Sequence, residues 1–108
     1  VSFSGLTALT TINCGGNLFS TFALSGLPLL TDLDVAGCSL TAITIIGLPS
    51  LSHVGVASNS LNAAALNALY TALPSRVSLS AGFVGRIGNP GAGGATNSIA
   101  TSKNWTMH

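Results

Sequence analysis

One recurring interval governs this chain. Leu30, Leu33, Val35, Cys38 and Leu40 form one apolar series, with a small polar side chain at position 38. Shifted upstream by 21, the series becomes Leu9, Ile12, Cys14, Asn17 and Phe19. Shifted downstream, it becomes Leu51, Val54, Val56, Asn59 and Leu61. A second series keeps the same interval: Phe3 and Leu6, then Leu24 and Leu27, then Ile45 and Leu48. Side chains recurring at a fixed interval of about 20–29 residues imply one supersecondary unit repeated, each copy covering the apolar face of the next.

The period predicts short parallel strands near 11–14, 32–35 and 53–56, with side chains pointing alternately to core and solvent. Parallel neighbours need crossovers, which fall at 18–28 and 39–49. The β-branched and aromatic residues of Thr21–Leu24 and Thr41–Ile45 favour a second, ragged extended face there over helix. Gly5-Leu6, Gly26-Leu27-Pro28 and Gly47-Leu48-Pro49 mark the returning corner, where Gly allows a tight backbone and Pro fixes φ. Asn17 and Asn59 are expected to turn inward and bond neighbouring backbone, with Cys38 interrupting that ladder as a weaker donor.

After Asn59 the spacing changes. Residues 60–73 read as a helix capped by Ser60, with Leu66, Leu69 and Leu73 on one face and Pro74 ending it. Loop or irregular strand follows over 75–81, then a strand over Phe83–Ile87, a turn-rich Gly88–Gly94, one or two helical turns through Asn104 capped by Asn97 or Ser98, and a last strand at Trp105–Met107. Tyr70 is expected half-exposed, Trp105 in the core, and Arg76 and Lys103 at the surface.

These columns resemble the bacterial-type leucine-rich repeat with 21-residue periodicity, with Val, Cys and Phe replacing Leu at some positions. Gly88-Asn-Pro-Gly and Ser98–Thr106 resemble the C-terminal cap of such repeats in bacterial surface and phage structural proteins. The resemblance covers roughly residues 3–107. It implies an α/β repeat solenoid of about three rungs, with repeats over 1–74 and a cap over 75–108 of the same domain. It further implies a non-enzymatic binding or adhesion module for protein or glycan, on a bacterial surface or a phage particle.

Composition narrows the function. Of 108 residues 47% are apolar, enough for a core, and only 5% are charged. The charged side chains are Asp32, Asp34, Arg76, Arg86 and Lys103, a net +1, which makes no case for nucleic acid or an anionic membrane surface. So uncharged a surface suits an extracellular or virion protein. No apolar run reaches the ~20 residues that a spanning helix needs. Val1-Ser-Phe has no signal-peptide character. The repeat pattern is already under way at the first residues, as in a piece of a longer polypeptide. Cys14 and Cys38 lie one repeat and three residues apart, roughly 11 Å from rung and residue spacings. That is beyond the ~7 Å reach of a disulfide, so both are expected as free, buried thiols.

The outward strand positions form two columns: Thr11, Asp32 and His53, then Asn13, Asp34 and Gly55, with Arg86 as a further member of the second. Asp32 and His53 are placed to pair. This face is the candidate ligand-binding surface, and a solvated strand face is the plainer reading. Ser52, His53 and Asp32 could be imagined as a triad, but no G-x-S-x-G elbow, pocket or oxyanion hole accompanies them, so no enzyme is expected. The Gly88–Gly94 loop lacks the G-K-[ST] ending of a phosphate loop, and no metal site or cofactor is expected. Asn104-Trp-Thr106 matches a glycosylation acceptor but falls where the cap should pack. The apolar N-terminal edge of Val1, Phe3, Leu6, Leu9, Ile12 and Phe19 needs a cover: an upstream segment, another domain or another subunit. The competing function is therefore a structural subunit or decoration domain that builds a filament, fibre or shell through that edge.

Overall fold

The computed structural model describes residues 5–108. Val1 and Phe3 lie outside the described residues. The strands are β1 (Thr11–Asn13), β2 (Thr21–Ser25), β3 (Asp32–Asp34), β4 (Ala42–Ile46), β5 (His53–Gly55), β6 (Gly82–Gly85) and β7 (Trp105–Met107); the helices are α1 (Ala63–Ala72) and α2 (Ser98–Thr101). Five strands form a parallel sheet in the order β1-β3-β5-β6-β7. The ragged faces expected in the crossovers are the regular parallel pair β2-β4.

The repeat interval is the strand register. Ile12 pairs Leu33 and Leu33 pairs Val54, while Phe22 pairs Ile43 and Leu24 pairs Ile45. Each equivalent pair therefore stacks in the space between the two sheets. Leu27, Leu30, Leu33, Val35, Leu40, Leu51, Val54, Val56 and Leu61 are buried there. Truncating one such Leu to Ala costs about 2–5 kcal/mol. The corners repeat as well: Leu9, Leu30 and Leu51 each donate their amide to the carbonyl three residues back, at 3.1–3.3 Å. Gly26 and Gly47 sit at φ 65° and 67°. That left-handed backbone strains any other residue.

The helix begins later than Ser60. Ser60 N still donates to Leu40 O, and Leu61 N to Asn89 Oδ1, so both residues belong to the stacked turns. Asn62 takes the cap instead, its Oδ1 accepting from Ala65 N at 2.8 Å. At the other end Lys103 Nζ donates to the carbonyls of Tyr70, Thr71 and Leu73. A cation there satisfies the last carbonyls and suits the negative end of the helix dipole. Lys103 is thus a clamp and not an ordinary surface charge.

Two further expectations change. Arg76 is sunk to 9% exposure and spends its guanidinium on Ser80 O, Leu51 O and Ser80 Oγ. Tyr70 is wholly buried, facing the core from α1. Trp105 is buried as expected, donating Nε1 to Pro74 O at 2.8 Å. The ring lies so close over Gly82 that a Cβ there would stand 2.5 Å from it. α2 ends at Thr101, and the Asn97 side chain does not cap it. Asn104 donates Nδ2 to Arg76 O and Leu79 O, bonds that an attached glycan would break.

Candidate functional site

The outer face of the five-stranded sheet gathers the expected column and extends it. Thr11, Asp32 and His53 are cross-strand neighbours, and the register continues through Phe83 to Thr106. Thr11, Asp32 and Thr106 are exposed, while His53 and Phe83 are half-buried. The His53 ring lies flat on Phe83, centroids 4.7 Å apart and planes within 8°. On the other side Phe83 stacks on His108 at 4.1 Å and 12°. His53 is thus occupied by an aromatic partner and not, as expected, by Asp32. His108 is further held by Thr106, its Nε2 lying 2.9 Å from Oγ1. Phe83, Thr106 and His108 belong to this face, and the repeat interval points to none of them.

The second column runs Asn13, Asp34, Gly55 and then Gly85, not Arg86. Two of its side chains have local duties. Asn13 Oδ1 accepts from Gly15 N at 3.1 Å, and Asp34 Oδ1 from Ala36 N at 3.0 Å, each closing the turn two residues on. Neighbouring side chains fold over these glycines, so that Gly55 is buried and Gly85 half-buried. A Cβ on Gly55 would stand 3.3 Å from the Asp34 carboxylate, and one on Gly85 would stand 3.2 Å from the Phe83 ring. Asp34 and Phe83 therefore lean over a glycine floor from two sides.

Arg86 is removed from the binding face. With Gly55 opposite Gly85, Arg86 follows Val56 in the inward column, and its Nη1 donates to Ala92 O at 3.1 Å. A slip of one residue in register moves a side chain to the opposite face of a sheet. The sequence holds the signal: Val56-x-x-Asn59 and Arg86-x-x-Asn89 share one spacing. Asn89 does take the ladder position, accepting from Leu61 N and donating to Val56 O and Arg86 O.

At the N-terminal edge β1 pairs only with β3, and β2 only with β4, among the described residues. Ile12, expected at the open edge, is 4% exposed and belongs to the core. Leu9 and Phe19 are half-buried and Leu6 is 50% exposed. The large apolar side chain most exposed there is Leu18, at 87%, a position outside the repeating columns. Asn17 makes the same bond as Asn59, its Nδ2 donating to the carbonyl three residues back, Cys14 O, but it is exposed because nothing described stacks on that side of β1. Cys14 and Cys38 are both free. Cys38 is buried, but Cys14 is only half-buried because nothing described packs on the far side of β1. Burial raises the Cys14 thiol pKa above its usual value, with Cys38 adding to the effect.

Among the described residues no three His, Cys, Asp or Glu side chains gather as they would around a metal ion. No described helix is long and apolar enough to cross a membrane. No family model, curated protein or solved structure matches this chain.

Proposed function

We propose that the chain is a leucine-rich-repeat module that binds rather than catalyses, recognising protein or glycan through the five-stranded face, on a bacterial surface or a phage particle. One observation carries this reading. Thr11, Asp32, His53, Phe83 and Thr106 form a single row across all five parallel strands, on a side of the sheet that no described helix covers. An extended, shallow row of this kind gives a partner many small contacts. The stacked fold, in register at the repeat interval, supports the repeat reading, with residues 75–108 as its cap.

Glycan and peptide arrays probed with the wild-type protein and with Asp32→Ala test the reading. Asp32 is exposed and has no role in turn closure, so the variant keeps its fold. Array signals are expected to fall at least tenfold, with circular dichroism and melting temperature unchanged. Signals equal to wild type on every positive feature contradict the reading.

A second reading, a structural subunit that assembles through the N-terminal edge, rests on Leu18 and on the unpaired sides of β1 and β2 among the described residues. Sedimentation separates the two. Assembly lost in Leu18→Asp, with array binding retained, favours the structural subunit.

A further inference from the structure

Asn17 holds half of an arrangement that Asn59 completes. Each donates Nδ2 to the carbonyl three residues back, Cys14 O and Val56 O, at 2.9 Å. Asn59 also reaches the turn before its own. There its Oδ1 accepts from Cys38 N and Leu40 N, and its Nδ2 donates to Val35 O. Asn89 does the same, accepting from Leu61 N and donating to Val56 O. Among the described residues none donates to Asn17 Oδ1.

The backbone beside Asn17 is open in the same register. Asp32 N donates to Thr10 O and Cys14 N to Asp34 O, so Thr10 O and Cys14 N face the β3 turn. By the alternation of a parallel ladder, Thr11 and Asn13 present their N–H and C=O groups to the opposite side, where no described strand lies. The apolar columns are open there too. Leu6 is 50% exposed, against 1% and 4% for Leu27 and Leu48, its equivalents on the next two turns. Exposed edge strands are ordinarily guarded by charged side chains or Pro. Residues 1–31 carry no charge, and neither β1 nor β2 holds a Pro. Backbone pairing and apolar fit therefore select what this edge accepts, and charge does not. Asn59 supplies the pattern: a chain parallel to β1 that offers one carbonyl, then amides three and five residues further on, as Val35, Cys38 and Leu40 do.

We propose that this edge takes a parallel strand and turn from a second polypeptide, which Asn17 locks in register as Asn59 locks the turn before its own. This rests on the second reading above, assembly through the N-terminal edge, and names what that edge accepts. In strand addition the main-chain bonds give affinity and the alternate side chains give choice. Leu6, Cys14 and Phe19 form the apolar side, so the incoming strand brings uncharged, apolar residues at alternate positions. A second copy set edge to edge by a two-fold axis normal to the sheet runs antiparallel, which reverses the carbonyl-then-amide order that Asn17 needs.

The probe is a blocked peptide copy of residues 30–46 carrying Cys38→Ser, whose strand and turn have the required order. Its control is the same peptide N-methylated at positions 38 and 40, which removes the two amide donors. Binding is followed by the NMR shift of the Asn17 side-chain amide and by the rate at which iodoacetamide alkylates Cys14. The peptide is expected to shift Asn17 and to slow alkylation of Cys14. Affinity should fall about tenfold for the methylated peptide and for the Asn17→Ala variant, the scale of one or two lost hydrogen bonds. Asn17 is exposed, so that variant keeps its fold, which circular dichroism checks. Equal binding by the methylated peptide, or by Asn17→Ala, overturns the proposal. If Cys14 is still protected in those cases, the edge remains an assembly surface. Self-association that Leu18→Asp abolishes, with no peptide bound, also overturns the proposal and leaves the edge to a second copy. A protein that stays monomeric in sedimentation and binds no peptide, or one whose peptide shifts gather on Asp32, His53 and Phe83, overturns both the proposal and the second reading.

Discussion

Asn59 and Asn89 donate to the same atom, the carbonyl oxygen of Val56, each at 2.9 Å. That shared acceptor ties the last regular repeat to the turn beyond α1. Asn59 also accepts from Cys38 N and Leu40 N and donates to Val35 O. Its amide thus satisfies backbone groups of two successive turns that are sealed from water.

Asn59→Ala should therefore cost far more than a lost surface bond. Several buried backbone groups would lose their partner at once, each worth about 1–3 kcal/mol when orphaned. On that basis denaturant titration should show a loss of about 3 kcal/mol or more. Cys38 Sγ already donates to Cys14 O. An amide donates better than a thiol, so Cys38→Asn in the same column should be tolerated within about 1 kcal/mol.

Tyr70 presents the opposite case. Its hydroxyl is buried without a hydrogen-bond partner. That state costs about 1–3 kcal/mol. Tyr70→Phe should stabilise the protein by about 1 kcal/mol, read as a rise in melting temperature. Burial also raises the phenol pKa above its usual 10.0, with the Arg86 charge opposing. A raised folded-state pKa favours the protonated form. This stability is therefore present below the ordinary phenol range and is lost as pH climbs through the folded value. Alkaline difference absorbance of the one tyrosine should appear together with unfolding, and the Tyr70→Phe variant should resist alkali better.

Lys103 holds three carbonyls at the end of α1. Removing that shared cation by Lys103→Met should destabilise by about 1–2 kcal/mol. Hydrogen exchange in the last turn of α1 should rise in the variant. Unchanged exchange there would contradict the clamp.

Gly82→Ala should cost about 2 kcal/mol or more, the scale of overpacking in a filled core. The added methyl meets the Trp105 ring at 2.5 Å, and the ring is pinned by its bond to Pro74 O. A quenched or shifted Trp105 fluorescence should accompany the loss.

The repeated half of this fold is legible because the same interval recurs, so that Leu30, Leu33 and Val35 declare their own neighbours at 51, 54 and 56. The second strand pair is visible in composition but looks more ragged than it is, since its order comes from pairing in register through Phe22–Ile43 and Leu24–Ile45. Legibility fails where α1 interrupts the interval. Counting past that helix places Arg86 one residue out, and one residue is enough to turn an inward side chain outward. Phe83 and His108 stay hidden for the same reason, because no interval of 21 leads to either. The duties of Arg76 and Lys103 depend on carbonyls far away in sequence, which local reading does not supply.

The most direct test of the central claim is to map a bound partner by NMR, using any glycan or peptide the arrays return. The account predicts shifts confined to Thr11, Asp32, His53, Phe83, Thr106 and His108, and their disappearance in Asp32→Ala. Shifts centred on the β2–β4 sheet or on Leu6, Leu18 and Phe19, with the five-strand row silent, would contradict it.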